Sequence, residues 1–271
     1  MGVLNASPES FSDGAAVAGG PKRRGAQLVA DGADIIDVGG ESGVTNRPPI
    51  TADEEIRRVV PVVGELVAAG ATVSVDTWKP PVAEAALEAG AHLINDVSGL
   101  RDPAIAELCA RFGAGLVIMH TRAEPKVKDF PAYDDVGGDV VRFLELRIAQ
   151  ALDHGLPAEH LILDPGPDFA KTPAQTIAVL RQLRLLHRFE RPILLAVSRK
   201  DFIGALTMSR PRLRLGGTLA AIGEGVDAGA SIVRVHDVAA TADFLKVRAA
   251  LRGEVDVSPD LQLPEALRRE P

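Results

Sequence analysis

Residues 72–96 read TVSVDTWKPPVAEAALEAGAHLIND, and this stretch holds one complete repeat of the fold. A short apolar run ends in Asp76, a helical segment opens at Pro80 and stops at Gly90, and a second apolar run ends at Asn95. Proline is tolerated in the first turn of a helix, and glycine is common just past the last turn. The stretch therefore predicts a β-strand, an α-helix and a second strand parallel to the first.

The same unit recurs along the chain. Eight apolar runs of strand length come at even spacing, and nearly all end in a polar or charged cluster: residues 2–5, 34–38, 72–76, 92–96, 115–120, 160–164, 193–197 and 231–236. Strictly alternating strands and helices require parallel strands with right-handed crossovers. The sequence therefore predicts an α/β fold, a (β/α)8 TIM barrel in a single domain. In such barrels the C-terminal strand ends and the loops after them form the active site.

Helical periodicity fills the segments between the strands. The clearest case follows Thr51, where a capping pattern precedes an apolar stripe that stops at Gly70. Another helix opens at Thr172-Pro173. Further helices are predicted over residues 21–31, 82–89, 104–112, 139–154, 212–228 and 238–251.

Length and composition fit one domain. At 271 residues and 46% hydrophobic content, the chain can bury a large core, and β/α barrels commonly have about this length. Residues 253–271 are polar, hold Pro259 and Pro264, and lack a sustained period, so we expect a barrel over residues 1–252 and a C-terminal extension over 253–271. The first strand begins almost at Met1, and we expect further residues upstream.

Charge and cysteine content exclude several classes of protein. The single cysteine, Cys109, rules out a disulfide framework, and we expect it to be buried and to have no functional role. The net charge of −7 argues against broad binding of nucleic acid or of anionic membranes, so an anionic ligand needs a local basic cluster. No apolar run approaches the length of a membrane span, and no leader pattern precedes the first strand. We therefore expect a cytoplasmic protein that acts on small molecules.

Three long loops follow strands on the predicted catalytic side, over residues 6–20, 41–50 and 121–135. Long loops on the catalytic face of a rigid barrel usually act as lids.

Two carboxylates and an amide close predicted strands. Asp76 and Asp164 each end an apolar run, and a buried carboxylate needs hydrogen-bond donors. A ligand with adjacent N–H groups, such as a pterin or a guanine, supplies these donors. Asn95, which has both a donor and an acceptor, can hydrogen-bond the neighbouring atoms of the ligand. Lys200 lies at another strand end on the same face. The alternative interpretation is that Asp76, Asn95 and Asp164 only cap backbone groups.

The last strand ends in a cationic pair. Alternation places Arg234 and His236 on one side of that strand, and beside Asn5 they suit a phosphate or a pyrophosphate. The alternative is a surface ion pair between Arg234 and Asp237. No spacing typical of a transition-metal or calcium site occurs, so a metal would be Mg2+ brought with phosphates. Around Ser198 the sequence indicates no catalytic triad.

The ordered motifs of the chain resemble those of the dihydropteroate synthase family. The resemblance runs from Met1 to about Leu251 and rests on residues 5–14 (NASPESFSDG), 37–42 (DVGGES), 74–77 (SVDT), 94–97 (INDV), 119–120 (MH), 163–166 (LDPG), 198–200 (SRK) and 234–237 (RVHD). It implies condensation of 6-hydroxymethyl-7,8-dihydropterin pyrophosphate with p-aminobenzoate, which releases pyrophosphate and 7,8-dihydropteroate. It also implies a homodimer.

The resemblance assigns the site residues by position. The pterin would be held by Asp76, Asn95, Asp164 and Lys200. The pyrophosphate would be bound by Asn5, Arg234 and His236, with Mg2+ at Asn5. Two loops would close over the reacting centre, and they carry Phe11 and Asp13 on the first and Thr45 and Arg47 on the second. Of these residues, the catalytic set would be Asp76, Asp164, Lys200, Asp13 and Phe11.

The chain departs from the family pattern on the side of the second substrate. The usual Gly-Glu-Ser-Thr-Arg-Pro is expanded over residues 40–48, which separates Thr45 from Arg47. The usual Asp-Pro-Gly-Ile-Gly-Phe-Gly-Lys becomes DPGPDFAK over residues 164–171, and Asp201 follows Lys200 where serine or arginine is frequent. We expect Asp201 and the expanded loop to weaken binding of p-aminobenzoate and competition by sulfonamides.

Two other functions stay open on the sequence alone. One is a methyltransferase of the same pterin-binding barrel group that uses a methylated folate. The other is a catalytically silent paralogue that binds pterin or acts through protein contacts. The retained motifs at residues 198–200 and 234–236, which serve a pyrophosphate leaving group, favour the synthase over the methyltransferase.

Overall fold

The structure is a computed structural model that describes residues 1–6, 20–41 and 48–268. Eight strands follow one another along the described chain, and every recorded pairing between them is parallel. Their bounds are β1 Gly2–Asn5, β2 Ile35–Gly39, β3 Thr72–Asp76, β4 Leu93–Asp96, β5 Gly115–Met119, β6 Leu161–Asp164, β7 Leu194–Leu195 and β8 Ile232–Val233.

Backbone hydrogen bonds close these strands into a barrel. Strands β1 to β6 form one sheet in sequential order, and β7 pairs with β8. At one seam, Leu163 N donates to Pro192 O at 3.0 Å. At the other, Val235 N donates to Met1 O at 2.9 Å and Val3 N donates to Val235 O at 3.0 Å. The predicted single-domain (β/α)8 barrel is therefore confirmed.

Nine α-helices lie within the described residues. They are α1 Gly20–Ala30, α2 Ala52–Ala68, α3 Pro80–Glu88, α4 Ala104–Phe112, α5 Val136–Asp153, α6 Pro173–Arg181, α7 Asp201–Thr207, α8 Leu215–Asp227 and α9 Val238–Leu251. The segment predicted as one helix over 212–228 is instead a 3-10 turn, Pro211–Leu213, followed by α8. Helix α7 was not predicted from the sequence. Among the described residues, no helix combines the length and the apolar character that crossing a membrane requires.

Capping residues fix where two of the helices begin. Thr51 accepts a hydrogen bond from Glu54 N at 3.3 Å, as the predicted capping pattern requires. Thr172 and Gln175 form a reciprocal capping box before α6. Each cap satisfies backbone N–H groups that have no partner inside the helix.

The core lies between the barrel wall and the helices. Ile36 and Val38 of β2 are buried together with Val59 and Val63 of α2, in one large cluster. Residues 253–268, by contrast, are all exposed. Such exposure agrees with an extension outside the barrel, and the domain boundary at residue 252 stays a prediction.

Candidate active site

Asp37 is the central carboxylate at the C-terminal mouth of the barrel. It is fully buried on β2, and its Oδ1 accepts a hydrogen bond from Ser74 Oγ at 2.6 Å. Its Oδ2 accepts from Arg234 Nε at 2.6 Å and from Asn95 Nδ2 at 3.2 Å. A buried carboxylate is tolerated when several donors surround it, and here the donors come from three other parts of the barrel.

Asp76 shares the same arginine. Arg234 Nη2 donates to Asp76 Oδ2 at 2.7 Å, at the end of β3. Burial raises the Asp76 pKa to about 7, against the opposing effect of Arg234. Burial lowers the Arg234 pKa, but the carboxylates of Asp37 and Asp76 raise it by more. The net shift is upward, so the guanidinium stays charged. Near pH 7, Asp76 is therefore present in both its protonated and its ionised form, and a bound ligand can shift the balance between them.

Asn95 has one hydrogen-bonding atom to spare. Its Nδ2 is used by Asp37, whereas its buried Oδ1 has no hydrogen-bond partner among the described residues. Since buried acceptors in folded proteins are nearly always paired, this oxygen calls for an N–H donor from a ligand.

Asp164 and Lys200 form the opposite wall of the mouth. Asp164 is buried at the end of β6, and its Oδ1 accepts from Gly166 N at 2.7 Å. Burial raises the Asp164 pKa, although the Gly166 amide opposes the shift. Burial lowers the Lys200 pKa, while Asp168, Asp164 and Asp76 favour its charged form. The Lys200 Nζ lies 4.1 Å from the centroid of the Phe169 ring.

His236 and Asn5 lie at the ends of neighbouring strands. The Oγ atom of Ser198 is 3.0 Å from His236 Nδ1, and it also accepts from the His236 backbone amide at 3.2 Å. Burial and the charge of Arg199 lower the His236 pKa to about 4, so the imidazole is neutral at pH 7. Asn5 is exposed at the end of β1.

The structure brings the predicted strand-end residues together at one mouth. Asp76 and Arg234 are in direct contact, and the charges of Asp164, Asp76 and Arg234 all act on the amine of Lys200. The capping alternative holds only in part, because Asp164 does accept a backbone amide but Asp76 binds a guanidinium.

The alternative ion pair for Arg234 is wrong. Asp237 accepts instead from Arg199 Nε, at 3.0 Å. The physical reason is the fully buried Asp37 carboxylate, which needs a cation in the mouth and holds Arg234 there beside Asp76, whereas Asp237 lies at the start of α9.

The five residues predicted on the acceptor side or in the loops that close over the reacting centre have different outcomes. Asp201 is on the surface, with its side chain 82% exposed and its Oδ1 2.9 Å from Arg214 Nη1. An exposed, paired carboxylate is screened, so its expected repulsion of p-aminobenzoate becomes weak. The other four lie outside the described residues: Phe11, Asp13, Thr45 and Arg47.

Sequence reasoning missed two buried charges in this region. Asp37 sits inside an apolar strand, and that position was the signal that it needs a buried partner. Lys171 is also buried, and its Nζ lies 2.8 Å from His120 Nδ1 and 2.9 Å from Gly166 O. Burial lowers the Lys171 pKa to about 7. Nothing in the polar segment around Lys171 distinguishes it from a surface lysine.

Comparisons with known proteins agree with this geometry. The sequence profile of the family described as pterin binding enzyme matches residues 1–236. The dihydropteroate synthase of Escherichia coli (strain K12) is 40% identical over 253 residues, which are 91% of this chain and 89% of that protein. A solved structure of Xanthomonas albilineans dihydropteroate synthase with 4-aminobenzoic acid is similar at TM-score 0.86 and 40% identity, covering 93% of this chain and 92% of that one. The same enzyme in complex with 7,8-dihydropteroate gives a TM-score of 0.84 at 40% identity, covering 93% and 92%.

Proposed function

The chain belongs to the family of pterin binding enzymes that includes the dihydropteroate synthases, and we propose that it condenses 6-hydroxymethyl-7,8-dihydropterin pyrophosphate with p-aminobenzoate. The products are 7,8-dihydropteroate and pyrophosphate. As a member of this family the chain is a transferase.

One observation carries the pterin assignment: Asn95 Oδ1, which has no partner among the described residues, lies in a mouth that also holds the buried Asp164 and the partly buried Asp76. An amino-oxo heterocycle offers adjacent N–H donors, which would satisfy this oxygen and the carboxylates of Asp164 and Asp76 at once. Lys200 would donate to an acceptor atom of the same ring system.

The chemistry follows from the charges around the ring. Loss of pyrophosphate leaves a cation on the pterin methylene that the electron-rich dihydropterin ring delocalises. Carboxylates held in place by Ser74, Arg234 and Gly166 stabilise that cation without reorganising. The amine of p-aminobenzoate then attacks the methylene carbon and loses a proton, so no protein nucleophile is needed.

Arg234 would bind the pyrophosphate leaving group while it also pairs with two carboxylates. Its Nε and Nη2 atoms are occupied by Asp37 and Asp76, while its Nη1 makes no hydrogen bond with a described residue. Neutral His236 adds an uncharged donor beside it. These groups support binding of the pyrophosphate end within reach of the pterin end.

We propose that Mg2+ binds together with the phosphate groups of the substrate. Within residues 1–6, 20–41 and 48–268, no group of three His, Cys, Asp or Glu side chains could hold a metal ion. Mg2+ commonly takes one or two protein oxygens together with substrate phosphates and water. The exposed Asn5 amide fits that mode, and the ion would neutralise the departing pyrophosphate.

We also propose that the enzyme is a cytoplasmic homodimer. Large apolar side chains on its surface support a second copy as partner: Leu206, Met208, Leu213 and Leu251 are 68%, 90%, 75% and 83% exposed. Apolar exposure of this kind is typical of interaction surfaces. Sedimentation equilibrium measures the assembly mass directly, and a monomer at micromolar concentration would contradict the proposal.

The proposed reaction is tested by chromatography of the product. Purified protein should form 7,8-dihydropteroate from the two substrates in the presence of Mg2+. Lys200→Met should lower kcat/KM at least about tenfold, because a charged donor near the ring is lost. Lys246→Met, at an exposed lysine on α9, is the matched control and should have unchanged kinetics. Absence of product from the wild-type protein would refute the proposal.

A further inference from the structure

The loop after β6 carries two residues in an unfavourable backbone conformation. Asp168 and Ala170 have φ angles of +64° and +50°, in the left-handed region. They occupy positions where the resembled family motif has glycine, and L-residues other than Asn and Asp rarely adopt this region. The chain has therefore kept a glycine-like backbone while placing a carboxylate at residue 168.

The Asp168 carboxylate is used at both of its oxygens. Oδ2 accepts from the backbone amides of Asp201 and Phe202, at 2.5 and 3.2 Å. Oδ1 accepts from Thr176 Oγ1 at 3.0 Å, and the Asp168 amide donates back to that hydroxyl at 3.0 Å. One side chain thus joins the loop after β6 to both α6 and the first turn of α7.

Lys200 lies immediately before the amides that Asp168 holds. It is the N-cap residue of α7, and its amine rests against the ring of Phe169, the neighbour of Asp168. The charges that act on its amine are those of Asp168, Asp164, Asp76 and Arg234, and its own charge acts on Lys171 and His236. Asp168 comes first among the charges that favour the protonated amine.

We propose that Asp168 is a positioning residue for Lys200: its carboxylate ties the start of α7 to the loop after β6 and so holds the Lys200 amine in the mouth. The inference rests on the proposed function, because that function assigns Lys200 to the pterin. It goes further by giving a role to a residue where the family motif has glycine.

A second anchor makes the loop a firm base for this contact. The buried amine of Lys171 lies 2.9 Å from Gly166 O and 3.0 Å from Phe169 O. The loop is therefore held from inside by Lys171 and from outside by Asp168. Because Lys171 still holds the loop when Asp168 is changed, we expect such a change to act on α7 and Lys200 rather than on the barrel.

Two variants separate the hydrogen bonds of Asp168 from its charge. Asp168→Gly suits the φ of +64° and should fold, but it removes both. Asp168→Asn keeps an oxygen for the two amides and removes the charge, while its NH2 group replaces the oxygen that accepts from Thr176 Oγ1 and can donate to that hydroxyl instead. Ala170→Gly is the matched control, since it relaxes the neighbouring left-handed residue and leaves the contacts of Asp168 intact.

The first readout is backbone hydrogen exchange, followed by mass spectrometry of peptides that span residues 201 and 202. Asp168→Gly should raise exchange there about tenfold, whereas Asp168→Asn and Ala170→Gly should stay near wild type. Equal protection in wild type and Asp168→Gly would overturn the proposed tie, whatever the protein does with pterin.

The second readout is calorimetry with 6-hydroxymethylpterin across a pH series. Asp168→Gly should weaken binding about tenfold, and Asp168→Asn should weaken it less at pH 7. In both variants the alkaline limit of binding should move to lower pH, because loss of the carboxylate lowers the Lys200 pKa. A merely structural role would not move that limit in the folded Asp168→Asn protein.

The outcomes distinguish this inference from the proposed function. Wild-type protein that binds the pterin, together with Asp168→Gly that binds it equally well over the same pH range, would overturn the positioning role alone. Wild-type protein with no affinity for the pterin would overturn the proposed function, and the positioning role with it.

Discussion

Arg234 is the residue that joins the two ends of the proposed site. Reasoning from the sequence placed it with the pyrophosphate, apart from the pterin residues. In the structure its guanidinium contacts Asp37 and Asp76, so it also holds the carboxylates that would face the pterin. Removing it would leave buried carboxylates without their cation, a change that usually destabilises strongly. Pterin and pyrophosphate binding are therefore coupled through this side chain.

Asp164→Asn should weaken pterin binding while the fold is kept. Asparagine has one acceptor oxygen where a carboxylate has two, so it cannot pair with two adjacent N–H donors side by side, and a hydrogen bond to a charged group contributes about 1.5–3 kcal/mol. Calorimetry with 6-hydroxymethylpterin measures the loss. Asp260→Asn, at an exposed position in the extension, is the control. If the Asp164 variant binds as the control does, Asp164 does not contact the pterin.

Pterin affinity should rise with pH through the titration of Asp76. Its pKa is raised to about 7 by burial, so below that pH the side chain is a neutral acid that accepts N–H bonds poorly. Affinity should increase up to about tenfold per unit between pH 5 and 7, then level off. Asp76→Asn should flatten this slope, leaving the part due to Asp164. The same slope in both proteins would remove Asp76 from the binding step.

Asp201→Ser should change the KM for p-aminobenzoate less than about threefold. The expectation that Asp201 weakens p-aminobenzoate binding assumed a carboxylate that faces the substrate, whereas Asp201 is exposed and paired with Arg214. Exposed ion pairs of this kind contribute about 0–1 kcal/mol. Steady-state kinetics with both substrates decides the matter, and a KM reduced tenfold or more would restore Asp201 to the acceptor side.

Side chains at strand ends were predictable, and those whose partners are distant were not. Asp76, Asn95, Asp164 and Lys200 all follow apolar runs, and a barrel brings such positions to one face. The partners of Asp37 come from elsewhere in the barrel, including Arg234, which is 197 residues away in the chain. No local pattern records a pairing over that distance.

At the scale of elements, the turn after β6 is tightly constrained by the main chain beside it. Gly166 has a φ of +64°, and a Cβ there would lie 2.0 Å from His120 O. Gly166→Ala should therefore lower the free energy of unfolding by about 2 kcal/mol or more, measured by urea titration. Gly64→Ala, inside α2 with open space around it, is the control and should be neutral or stabilising by up to about 1 kcal/mol. Equal stability of the two variants would contradict the geometry of the turn.

Elements with a sustained period were predicted well, and short ones were not. The apolar stripe predicted after Thr51 forms α2, Ala52–Ala68, and its Val59, Val63 and Leu66 are buried at helical spacing. Helix α7 has seven residues, too few for a 3.6-residue period to be recognised. Strands β7 and β8 contain two residues each, fewer than their apolar runs suggested. They border the two seams of the barrel, where isolated bridges replace longer ladders.

At the scale of the whole molecule, the count of eight apolar runs was enough to predict the barrel. Which atoms close it was not predictable, because the last strand meets the first through contacts such as Met1 N to Val233 O, at 2.9 Å. Closure places the ends of all eight strands around one mouth, so residues far apart in sequence form one site. We infer that this mouth couples departure of pyrophosphate to attack by an aromatic amine.

This coupling is tested by measuring pyrophosphate release from 6-hydroxymethyl-7,8-dihydropterin pyrophosphate, with and without p-aminobenzoate. With Mg2+ and both substrates, we expect release that matches 7,8-dihydropteroate formation mole for mole. Asp164→Asn should reduce it at least about tenfold. Absence of release by the wild-type protein under these conditions, or release that produces no dihydropteroate, would contradict the account.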